Sequence, residues 1–325
     1  MNKYVKKFLC IGMAAGLIAT SFSGCAKINY VFQEGAIRAI HEIKDGSWQK
    51  KDGEEGVGDD DPIVIDELKP GTYGGVDFQT LDDVANYYKE AYNYTKSLTA
   101  EYVDDQGNTV NFYKLLGDET MELGDVMIDG SANAVVNKLV PGIMSSMFKP
   151  TPYGLPPCNN RNPDLDNNSE DVKKVNDHDF RTTDVTGEDI LAANVTDNGD
   201  GTITLEIQPK GVKMALRGDD AQGRFFQVLG DIGGVVSDID AVSFTQGTAD
   251  ENVTVFYKGG TAKVKIDTST KEVVEADYTM ISNISVTHAS IAVIKDKSAS
   301  LIITYKNHFP ASDEFLQTSK GITRK

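Results

Sequence analysis

Cysteine, histidine and basic residues are scarce in this sequence, and each shortage excludes a class of protein. The three cysteines lie at positions 10, 25 and 158, too few for a disulfide framework. The four histidines lie far apart, so no helical pair of metal ligands exists. Lysine and arginine number 32 against 49 acidic residues, and the net charge of -17 repels phosphate backbones. We therefore expect no nucleic-acid partner and no resident metal held by histidine.

The sequence also lacks the short motifs of common enzymes. It contains no G-x-S-x-G elbow, no phosphate-binding P-loop, no H-E-x-x-H and no C-x-x-C. The glycines at 230, 233 and 234 do not have the spacing of a dinucleotide fingerprint. Cys158 follows two prolines in a loop, without the helix N-terminus that activates a thiol. We expect a protein that is not an enzyme, and a hydrolase with an unrecognised site is kept as one alternative.

Long apolar runs are absent apart from one at the N-terminus. With 40% hydrophobic and 25% charged residues, the composition is that of an ordinary globular protein. The apolar run from Phe8 to Phe22 is shorter than the ~20 residues that a spanning helix needs. Three lysines precede it, at positions 3, 6 and 7, and Ser23-Gly24-Cys25 follows it. This order indicates a signal peptide with a small-residue cleavage site.

The segment Phe22-Ser23-Gly24-Cys25 resembles the lipobox of bacterial lipoproteins, with Phe22 where leucine is usual. The resemblance implies that Cys25 carries a diacylglyceryl group with acyl chains such as palmitate, and that cleavage leaves Cys25 first. It also implies an exported bacterial protein, anchored by lipid at the outer face of the cell membrane. The alternative is a plain secretory signal in which Cys25 has no role.

The chain then divides into four predicted parts. Residues 1–24 are the signal peptide, and residues 25–75 are a lipid anchor followed by an acidic, glycine-rich tether. Residues 76–310 form one α+β globular body, and residues 311–325 form a C-terminal tail. Cleavage of the signal peptide removes three lysines and leaves the acidic residues of the tether. We therefore expect the negatively charged protein to be repelled from the surface of anionic lipid.

Three helices are predicted in the body. Thr80 and Asp83 cap a helix that continues to Leu98 and carries Tyr87, Tyr88, Tyr92 and Tyr94. A second helix spans about 132–148, with Ser131 as its cap, and its apolar surface is wide enough to close over an apolar ligand. A third spans about 219–236. The candidate ligand-binding residues all lie on the second helix: Leu139, Ile143, Met144, Met147 and Phe148.

Two acidic loops resemble calcium-binding loops in sequence. Asp164, Asp166 and Asn168 match the opening of a calcium-binding loop, but Ser169 and Val175 replace its glycine and its final glutamate. For the loop from Asp197 to Gly201, a glycine-rich hairpin turn is a simpler explanation than a calcium site. We expect no metal cofactor, with Asp164, Asp166 and Asn168 as the candidates if one binds.

From Ile190 onward, alternating apolar and polar residues predict strands with one buried face. The connections Gly259-Gly260, Asp267 to Lys271 and Lys295 to Ser298 are short, which favours antiparallel neighbours. The predicted fold is therefore α+β, a curved antiparallel β-sheet with a C-terminal meander, covered by two or three helices. In outline it resembles the half-barrel envelope lipoproteins.

Two main functions remain open. The first is an anchored lipoprotein that binds an apolar or lipid-like ligand between the helices and the sheet. The second is a structural or adhesion lipoprotein whose acidic loops and surface tyrosines meet a protein or glycan partner.

Overall fold

The computed structural model describes residues 62–132, 137, 150–156, 173–175, 178–180, 182–214, 220–226, 243–291 and 294–325. The signal peptide, Cys25 and most of the tether lie outside these residues. So do Cys158, the five candidate ligand-binding residues of 139–148, and the candidate metal ligands Asp164, Asp166 and Asn168.

Within the described residues, the chain forms strands and three α-helices. The helices are α1 (Leu81–Ser97), α2 (Ala249–Asn252) and α3 (Asp313–Lys320). The strands are β1 (Gly71–Tyr73), β2 (Val76–Phe78), β3 (Thr99–Asp104), β4 (Thr109–Tyr113), β5 (Asp118–Leu123), β6 (Met127–Ile128), β7 (Ser131–Ala132), β8 (Lys173–Val175), β9 (His178–Phe180), β10 (Ile190–Asp197), β11 (Thr202–Pro209), β12 (Val212–Lys213), β13 (Ser243–Phe244), β14 (Val253–Tyr257), β15 (Thr261–Asp267), β16 (Val273–Ile291), β17 (Ile294–Phe309) and β18 (Ile322–Arg324).

One large antiparallel sheet dominates the described structure, as the alternating sequence predicts. Its order is β10-β11-β15-β16-β17-β6-β7, with β14 and β13 also paired to β16 and β5 to β17. The two long strands at its centre, of 19 and 16 residues, form one hairpin. Smaller sheets are the hairpins β1-β2 and β8-β9 and the three-stranded sheet β18-β3-β4.

The two faces of the large sheet differ sharply. Its inner face is apolar and buried, for example at Leu205, Val264 and Ala276, which are neighbours on adjacent strands. Its outer face carries a row of neighbouring charges across five strands. In order along that row, the residues are Glu206, Lys263, Asp277, His308 and Asp118. The Asp277 carboxylate lies 2.7 Å from Nδ1 of His308 and raises the pKa of that imidazole.

Helix α1 packs its apolar stripe on the inner face. Thr80 and Asp83 form a reciprocal capping box, which fixes the start of the helix where the sequence predicts it. The hydroxyl groups of Tyr88 and Tyr278 lie 3.0 Å apart, and Thr95 Oγ1 accepts a 2.7 Å hydrogen bond from the Val273 amide. The helix is therefore tied to β16 at two points.

Two predicted connections do not reverse the chain as expected. Gly259-Gly260 does not reverse the chain, because β14 and β15 follow each other along the same edge of β16. Gly259 has a φ of 74°, and a Cβ on Gly260 would lie 2.7 Å from the Thr279 carbonyl oxygen, so the pair forms a bend within one strand path. Lys295 to Ser298 belong to β17, where Lys297 pairs with Ala289 on β16.

The predicted domain boundaries are also corrected at both ends. Residues 311–325 are not a tail, since α3 and β18 fold back and β18 pairs with β3. Ala311, Leu316 and Ile322 close a second small apolar core there. At the other end, the Gln208 side chain holds the backbone of Pro62 and Val64, so the body begins before residue 76.

The predicted helical cover is present only in part. Helix α1 contacts the sheet, whereas α3 belongs to the second core and α2 is four residues long. Ser131 and Ala132 form β7 and do not begin a helix, because they pair with β6. Between 219 and 236 the described part is 220–226, which contains a 3-10 turn. None of the helices in the described ranges has the length and hydropathy needed to cross a membrane.

The contact between Gly117 and Phe309 gives a test of this packing. A Cβ at Gly117 would lie 2.3 Å from the fully buried Phe309 ring. We expect Gly117→Ala to lower the free energy of unfolding by about 1–3 kcal/mol, as overpacking does. Urea denaturation of the purified protein measures this.

The matched control is Gly71→Ala in β1, where the new Cβ would meet the Tyr73 ring at an ordinary 3.4 Å. Equal stability of the two variants would contradict the packing of Phe309 described above.

Candidate functional site

The aspartates predicted to form a hairpin turn do so. Asp197 accepts hydrogen bonds from the amides of Gly199 and Gly74, and Asp200 accepts from Thr202 and from Lys265 Nζ. These donors lower the pKa of both carboxyl groups. In the part of the chain that the structure describes, no group of histidine, cysteine, aspartate and glutamate side chains has the arrangement of a metal site.

A polar cluster on the inner face of the large sheet is the candidate functional site. It consists of Glu119 on β5, Tyr305 and Asn307 on β17, and Tyr153 from the loop 150–156, and is called the Glu119 cluster below. Glu119 and Asn307 are direct neighbours in the pairing of β5 with β17, and Tyr305 lies opposite Met121 on the same face. Strand alternation thus directs three polar side chains inward beside each other.

Tyr153 enters the cluster because its loop is fastened on several sides. The Gly117 amide donates a 2.9 Å hydrogen bond to the Tyr153 carbonyl oxygen, and the Tyr153 ring packs edge-on against Phe309, with centroids 6.2 Å apart. The Tyr92 hydroxyl and the buried Lys96 ammonium, both on α1, donate to the carbonyl oxygens of Pro156 and Leu155. Helix and sheet together therefore set the position of the Tyr153 side chain.

Burial controls the electrostatics of the cluster. It raises the pKa of the Glu119 carboxyl group, while the Asn307 amide and the Tyr153 hydroxyl lower that pKa by a smaller amount. Burial and the Glu119 charge raise the pKa of Tyr153 well above its ordinary range and that of Tyr305 to about 12. Both phenols are therefore neutral hydrogen-bonding groups at physiological pH, beside a carboxyl group that resists ionisation.

Three buried polar atoms on or against the inner face have no well-formed hydrogen bond to any described residue. They are Asn307 Nδ2, the Tyr153 hydroxyl oxygen and Ser282 Oγ. Asn307 is 8% exposed and Ser282 is 0% exposed. The Asn307 amide and the Tyr153 hydroxyl approach Glu119 closely enough to affect its pKa, but without good geometry. Two further atoms of this kind, on Tyr87 and Gln222, lie away from the cluster.

Such atoms are rare in folded proteins, since an unpaired buried polar group costs about 1–3 kcal/mol. Of the five such atoms in the described part of the chain, three lie on or against this apolar face. The apolar residues beside them are Met121 and Leu123 on β5, Met280 on β16 and Ile303 on β17. Met121 and Leu123 are half-buried, so the β5 side of the cluster is partly open to solvent.

No pattern in the sequence predicts the Glu119 cluster. Glu119 and Asn307 lie in no motif and come from distant parts of the chain, so nothing in the sequence joins them. One signal was present: in the alternation Ile303, Tyr305, Asn307, Phe309 a carboxamide occupies an inward position. A polar residue at a core position of a strand is the pattern that identifies such a site.

Comparison with known proteins adds no family to this description. No family model, no curated protein and no solved structure matches the chain significantly.

The raised pKa of Glu119 predicts how stability depends on pH. The folded protein holds the Glu119 proton more tightly than the unfolded chain, so this group contributes instability that grows as pH rises above its ordinary pKa of 4.5. We expect Glu119→Gln to be more stable than the wild type at pH 7 and to lose this advantage near pH 4. Thermal unfolding across this pH range measures the difference.

Glu122→Gln is the control, because Glu122 lies on the same strand but is exposed on the outer face and pairs with Lys306 at 2.7 Å. Two results would contradict a raised pKa of Glu119. One is that Glu122→Gln gains as much stability at pH 7 as Glu119→Gln; the other is that the stability gain of Glu119→Gln persists at pH 4.

Proposed function

We propose that the protein is a membrane-anchored lipoprotein of the bacterial envelope, without catalytic activity, whose body binds an apolar or lipid-like ligand on the inner face of its sheet. The observation that carries the ligand-binding part is the set of buried polar atoms without well-formed hydrogen bonds on an otherwise apolar face. Binding sites for small molecules combine these two features, since apolar walls provide affinity and a few polar groups provide orientation.

The anchor is supported by the N-terminal sequence. Lys3, Lys6 and Lys7, the apolar run and Ser23-Gly24-Cys25 follow in the order of a lipoprotein signal. The acidic stretch that precedes the body places like charge beside the anionic membrane surface. A lipid on Cys25 would therefore hold the body close to the membrane while the tether keeps it from lying flat.

The predicted lining from the second helix is kept as part of the proposal. Leu139, Ile143, Met144, Met147 and Phe148 lie outside the described residues, but the residues on either side of that segment do not. Ala132 pairs with β6, and Tyr153 contacts Gly117 at the start of β5, so both flanks lie along the same edge of β17. A half-barrel in which this segment covers the inner face is consistent with that placement.

A second candidate is a structural or adhesion lipoprotein that binds a protein or a glycan. Ile302 favours it, because this side chain is 48% exposed on the outer face and its strand neighbour is the uncharged Asn283. Of the four tyrosines of α1, Tyr94 is exposed while Tyr87, Tyr88 and Tyr92 are buried, which leaves little of the tyrosine surface that glycan stacking requires.

The anchor is tested by replacing the lipidated residue. We expect Cys25→Ser to abolish metabolic labelling with a palmitate analogue and to move the protein from the membrane pellet to the soluble fraction. Cys158→Ser is the control and should keep both properties. A Cys25→Ser protein that remains labelled and pelleted would contradict lipidation at this residue.

The ligand site is tested through Asn307. We expect the detergent-released wild type to bind an apolar fluorescent dye and to retain a lipid-like adduct in native mass spectrometry. Asn307→Leu should bind the adduct several-fold more weakly, as loss of one hydrogen bond implies, and should fold at least as stably.

Asn283→Leu, which changes the same residue type on the outer face of β16, should bind like the wild type. Absence of both dye binding and adduct from the wild type would overturn the proposed function.

A further inference from the structure

We infer that the Glu119 cluster selects a ligand with an uncharged, hydrogen-bonding head group, such as a hydroxyl or an ester carbonyl, and discriminates against an anionic one. This inference rests on the proposed ligand binding and names the chemical class of ligand. On this inference, the preferred ligands of the Glu119 cluster are fatty alcohols and acylglycerols, and ionised fatty acids are not among them.

The first argument is the sign of the charges around the cluster. Among the described residues, the side chains that shift the pKa of Glu119 are Asn307 and Tyr153, and neither is a cation. The two basic residues that flank Asn307 on β17 face the opposite side of the sheet. Lys306 is paired there with Glu122, and His308 with Asp277. Among the described residues, an anionic head group would therefore meet a carboxyl group and no compensating charge.

The second argument is the kind of hydrogen bond that these three atoms without well-formed bonds offer. Asn307 Nδ2 is a donor, while the hydroxyls of Tyr153 and Ser282 both donate and accept. A ligand hydroxyl or ester carbonyl satisfies such groups without bringing charge into the site. Because Asn307 and Ser282 are each at least nine-tenths buried, the partner they lack cannot be bulk solvent.

The third argument is the cost of burying a second charge. Two carboxyl groups in one poorly solvated site do not both ionise, so a fatty acid can bind there only with a proton on its own carboxyl group or on Glu119. At neutral pH this lowers the affinity of a carboxylate relative to an alcohol of equal chain length. The apolar part of both ligands would make the same contacts with Met121, Leu123 and Ile303, so that part does not discriminate.

The test is a competition experiment with ligands of matched chain length. Full-length, detergent-released protein is loaded with an apolar fluorescent dye at pH 7.5, and the dye is displaced with 1-tetradecanol, myristate or tetradecylamine. For the wild type we expect 1-tetradecanol to compete at least about tenfold more strongly than myristate. Glu119→Gln should bring myristate to within about threefold of the alcohol and leave the alcohol unchanged. Glu122→Gln should behave like the wild type.

The outcomes separate this inference from the proposed function. If no ligand displaces the dye, or the dye does not bind, ligand binding itself fails. If the wild type takes myristate as strongly as the alcohol, or prefers the amine, the ligand is bound but the selection for an uncharged head group is wrong. If Glu119→Gln does not fold, the competition is repeated with the wild type at several pH values from 7.5 to 5. Myristate is then expected to compete more strongly relative to 1-tetradecanol as the pH falls. A ratio of the two affinities that stays constant would overturn the inference.

Discussion

The pairing of β16 with β17 is the constraint on which the rest of the structure depends. Every other strand of the large sheet is joined to this hairpin directly or through intervening strands. β15, β14 and β13 pair along one side of the hairpin, and β5 and β6 pair along the other. Because side chains alternate along a strand, the register of this one pair decides which residues face inward across the whole sheet. A slip by one residue would exchange the charged outer row for the apolar core.

The same register explains why polar groups are found in an apolar layer. Asn307 lies between the inward-facing Tyr305 and Phe309, and the β5 register places Glu119 directly beside it. The protein retains these groups although burial opposes the ionisation of Glu119 and leaves Asn307 and Ser282 without well-formed bonds to the described residues. A core that served stability alone would carry leucine or valine there. This arrangement supports the proposal that the inner face recognises a ligand.

Local signals in the sequence predict much of the fold. The Thr80 cap and its apolar stripe define α1, Asp104 to Asn108 and Asp197 to Gly201 make tight turns, and period-two alternation marks the strands. The prediction failed where the outcome depended on distant parts of the chain. Gly259-Gly260 could bend or reverse the strand, and the pairing of the flanking Tyr257 and Thr261 with β16 decides between the two. The Glu119 cluster was beyond reach for the same reason, since β5 finds β17 only in three dimensions.

That long-range pairing also bears on the order of folding. Lys306 and Glu122, which join β17 to β5, are 184 positions apart in sequence, whereas β14, β15, β16 and β17 follow one another with short connections. Closing so long a loop costs more entropy than closing a hairpin, so the local strands have the kinetic advantage and β5 is expected to add late. The Glu119 cluster then comes into existence only with the last steps of assembly. A partly folded chain would possess most of its sheet and no Glu119 cluster, and the ligand binding proposed for this cluster would be confined to completed molecules.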